Sequence, residues 1–178
     1  MDKKKINFYK NKKIIVTGAT GFKGAWLCLW LNILGAKVYG IGFLPNKNKR
    51  LYHSLKLNER IETKILDIRN LNKLSKYLKK VNPEIIFHLA AQAIIHEGYK
   101  NPYDTYTTNS IGTLNILEIS RKLKKLRSLV CVTSDKCYKD NFSTIGFLEE
   151  DKLGGEDPYS GSKASAEIIV NTYLKSFF

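Results

Sequence analysis

Five residues late in the chain have types and spacing suited to moving protons: Ser134, Asp135 and Lys136 in one run, Tyr159 and Lys163 in another. On a helix, a phenol four residues before an amine lies on the same face, one turn away. A free tyrosine titrates near ~10, so a tyrosine base working near neutrality needs a cation that favours its phenolate, and Lys163 supplies one. Asp135 offers a carboxyl, Lys136 an amine and Ser134 a hydroxyl. The combined chemistry is acid/base. The Tyr-x-x-x-Lys spacing also occurs at Tyr9/Lys13 and Tyr52/Lys56, but only Tyr159/Lys163 follows a strand and opens a capped helix.

Positioning such a set calls for two elements. The apolar run at 129–133 reads as a buried strand with Ser134, Asp135 and Lys136 at its C-terminal end, where open α/β sheets place their ligands. Asp157 is a good helix N-cap and Pro158 is pre-set for the first helical position, so a helix is expected over 158–176.

The start of the chain supplies a second motif. Ile14 to Thr17 is a β-branched run suited to a buried parallel strand. Gly18-Ala19-Thr20-Gly21-Phe22-Lys23-Gly24 follows, and then a helical apolar pattern through Trp26, Leu27, Trp30, Leu31 and Leu34. Small residues let the backbone turn sharply and approach a pyrophosphate, whose charge suits the free N–H groups of a helix N-terminus. A strand, this glycine loop and a helix in succession point to a dinucleotide, although the first glycine gap is one residue longer than in G-x-G-x-x-G.

Further strands are expected at 37–41, 62–66 and 85–88. The second ends in Gly40, Gly42, Phe43 and Leu44, without the acid that holds the ribose of NAD. Lys47, Lys49 and Arg50 lie just beyond it and could meet a 2′-phosphate, which leaves NAD versus NADP open at this loop. Asp67 ends the third strand, and either an adenine amine or the cap of the next helix would use it. Leu71, Leu74 and Leu78 are the inward positions of an amphipathic helix over 70–80, and a helix after Pro102 runs to about 125. His88 reads as a core histidine. The alternation of strands and helices argues a doubly wound parallel sheet, α/β, in the order 3-2-1-4-5.

With 178 residues, 43% hydrophobic and 26% charged, the chain fits one domain that buries roughly 70% of its unfolded surface. No apolar run reaches a membrane span and no signal-peptide pattern opens the chain, so a cytoplasmic location is expected. Cys28, Cys131 and Cys137 lack metal-ligand spacing and read as thiols in a reducing compartment, with no metal site. The net charge of +14 would suit an anionic partner. Its Lys residues are scattered along helix faces and outnumber Arg, which argues against nucleic acid and leaves steering of an anionic small substrate.

Taken together, the glycine loop, Asp67-Ile68-Arg69, His88-Leu89-Ala90-Ala91-Gln92, Asn109-Ser110-Ile111-Gly112-Thr113 and Tyr159 to Lys163 resemble the extended short-chain dehydrogenase/reductases that act on nucleotide sugars. Gly21 to Leu27, Thr133 to Tyr138 and Leu153 to Ser160 are similar to the CDP-glucose 4,6-dehydratase branch of that family. The chain departs from the pattern at Ala19, often His in the family, and over 93–98, where a Pro and an Arg-Ser pair are expected before Tyr99. It also stops well short of a typical member's length.

The resemblance implies an NAD-dependent conversion of CDP-glucose to its 4-keto-6-deoxy product by internal redox and loss of water. Tyr159 would take the 4-hydroxyl proton, aided by Lys163 and a hydrogen bond from Ser134. Lys136, where related dehydratases carry Glu, would take the C5 proton as a neutral amine. Asp135, kept protonated in a closed site, would protonate the departing C6 hydroxyl. Gly18, Thr20, Gly21, Phe22, Lys23, Gly24, Asp67, Ile68, Leu89, Ala90, Ala91 and Gln92 would hold NAD, together with Tyr159 and Lys163.

On this reading residues 1–178 are a dinucleotide-binding Rossmann domain without the last strands and substrate lobe. The fifth strand, with Leu129, Val130 and Val132, would then be an uncovered apolar edge. Helices 103–125 and 158–176 resemble the family's dimer-forming pair, so a homodimer or a complement carrying the missing half is expected. A dinucleotide-binding module without turnover, a vestigial fragment, or another nucleotide-sugar epimerase or reductase remain as alternatives.

Overall fold

The computed structural model describes residues 7–43, 50–140 and 146–178. Short β-branched runs become five strands: β1 (Lys13–Thr17), β2 (Lys37–Gly42), β3 (Glu62–Ile65), β4 (Ile85–His88) and β5 (Ser128–Cys131). All pair in parallel, in the expected order β3-β2-β1-β4-β5. Central β1 carries Ile14, Ile15 and Val16 with no exposure at all, as a strand covered on both faces must. Its last residue, Thr17, pairs in register with Ile41 and His88.

By its internal contacts the chain forms two compact units. The first comprises 1–90 and 122–131 and holds the whole sheet. Its helices are α1 (Phe22–Ile33), α2 (Arg50–Ser54), α3 (Leu57–Arg60) and α4 (Leu71–Val81). The core of this unit joins Ile14, Val16, Val38 and Ile85 to the inner face of α1, made of Ala25, Cys28 and Leu31. Trp26 and Trp30 are about half exposed. An almost uniformly apolar sequence hides which stripe faces inward, and the small residues take the inner side because they let the helix approach the sheet. In α4, Leu74 and Leu78 are buried as expected, while Leu71 is 40% exposed. Asn70 caps this helix by accepting from the Lys73 N–H, which places Leu71 at the helix's exposed first position.

The second unit comprises 91–121 and 132–178. It contains α5 (Ile95–Lys100), α6 (Pro102–Tyr106), a π-helical turn at Thr107–Ile111, α7 (Gly112–Ser120) and α8 (Pro158–Phe177). The single helix expected from 103 to 125 is therefore interrupted by the wide turn and ends at Ser120. Buried polar side chains are common here, among them Thr105, Asn109, Ser110, Ser162 and Lys163.

The fifth strand also ends early, at Cys131, so Val132 and Thr133 lie beyond the ladder. As the last strand in the order, β5 has one strand neighbour among the described residues, and Val130 and Val132 are 41% and 38% exposed. Among the described residues no helix is long and apolar enough to cross a membrane, and no His/Cys/Asp/Glu cluster has the arrangement of a metal site.

Candidate functional site

In the first unit, the glycine loop links the end of β1 to the first turn of α1. Gly18 sits at φ +72°, a left-handed conformation that favours glycine. A β-carbon on it would lie 2.9 Å from both the Ala90 nitrogen and the Leu89 carbonyl carbon, so the loop packs directly on the backbone that follows β4. Gly21 donates to the Gly18 carbonyl at 2.9 Å. A β-carbon on Gly24 would come within 2.1 Å of the same carbonyl oxygen. Gly18 and Gly24 are thus needed for one close approach of backbone to backbone.

Gly21 is the N-cap of α1 and offers no side-chain cap. The first-turn N–H groups of this helix are therefore not claimed by a capping oxygen, and the positive end of the helix dipole lies with them. This arrangement fits the pyrophosphate of a dinucleotide. Beside it Thr20 is buried, whereas Phe22 and Lys23 are exposed.

Thr17 supports the loop from below. Its hydroxyl accepts from the Ala90 N–H at 3.1 Å and shares a 2.7 Å hydrogen bond with His88 Nδ1. His88 is accordingly a core histidine, 3% exposed. At the end of β3, Arg69 grips the Asp67 carboxylate with its Nε and Nη2 groups and its backbone N–H, at 2.7–3.1 Å. Partial burial pushes the Asp67 carboxyl up, but the hydrogen bonds and charge of Arg69 outweigh it and hold it below its ordinary value. Asp67 does not cap α4, since Asn70 does. Ile68 is buried between them in sequence. Lys47 and Lys49 lie outside the described residues, as does the Arg50 side chain.

The acid/base residues belong to the second unit. Asp157 caps α8 as expected: Oδ1 accepts from the N–H groups of Tyr159 and Ser160, and Oδ2 from the Ser160 hydroxyl. Burial works against its ionised form, yet the bonds from Ser160 and Tyr159, aided by the charge of Lys136, hold the carboxyl below its usual range. Tyr159 and Lys163 follow one turn apart, 9% and 6% exposed.

Ser134 to Cys137 is a 3₁₀ turn rather than a strand end. Ser134 caps it, accepting from the Lys136 N–H at 3.2 Å and donating to Asp135 Oδ1 at 3.0 Å. Two bonds tie this segment to α8: Lys163 Nζ donates to the Val132 carbonyl at 3.4 Å, and the Thr133 hydroxyl donates to Glu167 Oε1. Ser134, Asp135 and Lys136 are thereby carried against the helix that bears Tyr159 and Lys163. Burial pushes the Cys137 thiol up, and the nearby Glu167 and Asp135 charges outweigh the opposing charge of Lys163. Asp135 and Lys136 themselves are exposed, so the closed surroundings expected for a protonated Asp135 are not provided by the described residues.

Sequence reasoning named neither Glu167 nor the role of Asn109. Glu167 lies at four-residue spacing from Lys163 and eight from Tyr159, a periodicity that was there to be found. Asn109 is 1% exposed, inside the π-helical turn. It accepts from the Gln92 N–H at 2.8 Å and donates to the Gln92 carbonyl and Ser162 Oγ, both at 2.9 Å. Ser162 in turn donates to the Tyr159 carbonyl at 2.7 Å. The Gln92 carboxamide bonds to the Ile94 backbone and the Thr105 hydroxyl. Ala91, next to it, is half-buried. The two other Tyr-x-x-x-Lys pairs serve packing: Tyr52 donates to Thr63 Oγ1, and Lys13 Nζ to the Val81 carbonyl.

Known proteins match this arrangement. The family model for GDP-mannose 4,6 dehydratase matches residues 15–177. The CDP-glucose 4,6-dehydratase of Salmonella typhimurium is 41% identical over 172 residues, which is 97% of this chain and 48% of the relative. A UDP-glucuronic acid 4-epimerase from Bacillus cereus, solved with a fluorinated substrate analogue and NAD, superposes with a TM-score of 0.79 at 30% identity, over 93% of this chain and 53% of that one. The UDP-glucose 4-epimerase of Thermotoga maritima, solved with UDP-glucose, gives a TM-score of 0.82 at 25% identity, over 93% and 52%. The chain spans about half the length of the curated relatives it matches.

Proposed function

The chain belongs to the GDP-mannose 4,6 dehydratase family, and from that membership we propose that it is the cofactor-binding part of a nucleotide-sugar 4,6-dehydratase acting on CDP-glucose. NAD is its cofactor. Gly18, Thr20, Gly21, Phe22, Lys23 and Gly24 hold the pyrophosphate region, with Asp67, Ile68, Leu89, Ala90, Ala91 and Gln92 as the further binding residues. When bound there, NAD would supply the hydride acceptor for oxidation of the sugar and the donor for its return.

The chain's own residues handle the protons. Tyr159 removes the proton of the sugar 4-hydroxyl, and buried Lys163 is the cation that a phenolate requires. Ser134 hydrogen-bonds the same hydroxyl. Oxidation at C4 acidifies the C5 proton, which Lys136 takes, while Asp135 protonates the hydroxyl leaving from C6. One water departs and a 4-keto-6-deoxy sugar nucleotide results. The observation that carries this reading is the 3₁₀ turn tethered to α8 through Val132 and Thr133. Epimerisation at C4 requires only the Tyr/Lys pair, whereas elimination also requires an acid and a second base, and Asp135 and Lys136 are both in this turn.

Cys28, Cys131 and Cys137 are not joined in a disulfide, which fits a cytoplasmic enzyme. The 41% identity to a CDP-glucose enzyme supports the choice of nucleotide. Substrate binding is assigned to a further lobe, supplied by a longer form or a second chain; a homodimer is the other assembly proposed. The test follows 4-keto-6-deoxy product from CDP-glucose and NAD by NMR, with residues 1–178 alone and in a form spanning the relatives' full length. Turnover is expected in the longer form only, and Tyr159→Phe should lower it by about 10²–10⁴-fold while NAD binding persists. A longer form that leaves CDP-glucose unchanged contradicts the proposal.

A further inference from the structure

Helix α1 carries a row of large apolar side chains on the side away from the sheet. Trp26, Trp30 and Ile33 are spaced four and three residues apart, so they fall on one helix face. They are 48%, 54% and 69% exposed. The opposite face, with Ala25, Cys28 and Leu31, is buried in the core, and Leu27 and Leu29 pack partly against that core on the two flanks. Packing beneath the helix is therefore complete without the outer row. Trp26, Trp30 and Ile33 together leave roughly 300–400 Å² of apolar surface in water, a size at which a patch on a monomer is commonly an interaction site.

Charge and symmetry indicate what covers it. Between Lys23 and Lys37 the chain has no charged residue. Copies that each carry a net charge of +14 repel one another over most of their surface, and this uncharged row lets two of them meet without opposing like charges. Trp26 and Trp30 belong to an i, i+4 ridge, and two such ridges interdigitate when their helices cross at about 50°. A twofold axis presents the same patch from both sides, so one ridge supplies both halves of the contact. Asn32 donates to the Arg60 carbonyl at 3.2 Å, which brings α3 beside this part of α1 with exposed Glu59 and Arg60 as rim groups of opposite sign. The apolar row suffices for the centre of a standard interface, which buries about 800 Å² per partner. The further lobe assigned above does not compete for it. The open strand edge is β5, whereas α1 leads from β1 to β2, and β1 and β4 stand between β2 and β5.

We propose that the outer face of α1, centred on Trp26 and Trp30, is a surface through which two copies of this chain associate. The inference does not depend on the cofactor and substrate readings, and the face is separate from the helix pair that the family resemblance assigns to dimer formation.

Trp26 and Trp30 are the only tryptophans in the chain, so their emission reports on this face alone. The test follows sedimentation equilibrium and tryptophan emission of the purified 178-residue chain over one dilution series. The chain should pass from dimer to monomer on dilution, and emission should move to longer wavelength over the same concentrations as the tryptophans enter water. A chain that stays monomeric up to about 100 μM overturns the inference. Association without a change in emission means that the copies meet elsewhere and also overturns it. In a form spanning the relatives' full length, tryptophans already shielded in the monomer would mean that the additional chain covers α1, with the same consequence. Trp30→Glu should weaken association by about thirtyfold or more. Unchanged association in the folded variant overturns the role of this face. If the variant does not fold, the dilution series of the unaltered chain decides.

Discussion

In the first unit the glycine loop is shaped by contacts that leave no room for a β-carbon, at Gly18 against Leu89 and Ala90 and at Gly24 against Gly18. In the second, Tyr159 and Lys163 are seated by hydrogen bonds running from Gln92 through Asn109 and Ser162 to the Tyr159 carbonyl. One region gains its geometry by leaving atoms out, the other by pairing buried polar atoms. The two should therefore fail differently, the first when a carbon is added and the second when a polar atom is removed.

The largest effect on stability should come from Gly24→Ala. A β-carbon 2.1 Å from the Gly18 oxygen forces the loop to move, at a cost of about 3 kcal/mol or more, which for a chain of this size lowers Tm by roughly 6–12 °C. NAD binding should be lost with it. Calorimetric melting and titration check this, and a variant that melts and binds like the parent would remove steric exclusion as the organising feature of the first unit.

Asn109→Ala should follow, costing about 2–3 kcal/mol because the Gln92 N–H and carbonyl lose their buried partner. Denaturant titration measures it. A loss under about 0.5 kcal/mol would mean that the polar chain does not seat α8.

The smallest effect is a pH dependence at Asp157. Its folded pKa is depressed, so the stabilisation it contributes is present above its unfolded value of about 3.9 and is lost as pH falls through the folded value. Asn is an equally good cap. Its amide nitrogen cannot accept the Ser160 hydroxyl bond that Oδ2 receives, so Asp157→Asn should be slightly less stable than the parent near neutrality and show a shallower loss of stability with acid. Parallel acid profiles in denaturant titrations would show that the carboxylate's ionisation does not contribute.

The same contrast explains what the chain's letters reveal. Alternating apolar runs and glycines report steric demands directly, so β1 to β4, their order and the turn at Gly18 to Gly24 were legible, as was the Asp157 cap. A helix that is apolar nearly all round, such as α1, carries no such signal, and Trp26 and Trp30 prove to be about half exposed, while Leu71 is exposed because the Asn70 cap puts it at the start of α4. The early end of β5 was hidden because Val132 and Thr133 are β-branched yet are held by Lys163 and Glu167 instead of a neighbouring strand. Hydrogen-bonded relays join residues far apart in sequence, so Asn109 and Gln92 were visible as motif positions but not as partners. Ser134, Asp135, Lys136, Tyr159 and Lys163 were singled out by type, spacing and family resemblance, while Glu167 escaped because its partner, Thr133, lies 34 residues away.

The assignment of the elimination chemistry to the 3₁₀ turn is tested most directly by Lys136→Ala in a form spanning the relatives' full length, supplied with CDP-glucose and NAD. The account predicts that the sugar is oxidised at C4, seen as a rise in reduced-cofactor absorbance, and that no 6-deoxy product appears by NMR. Normal formation of the 4-keto-6-deoxy product would contradict it, because C5 deprotonation would then not depend on Lys136.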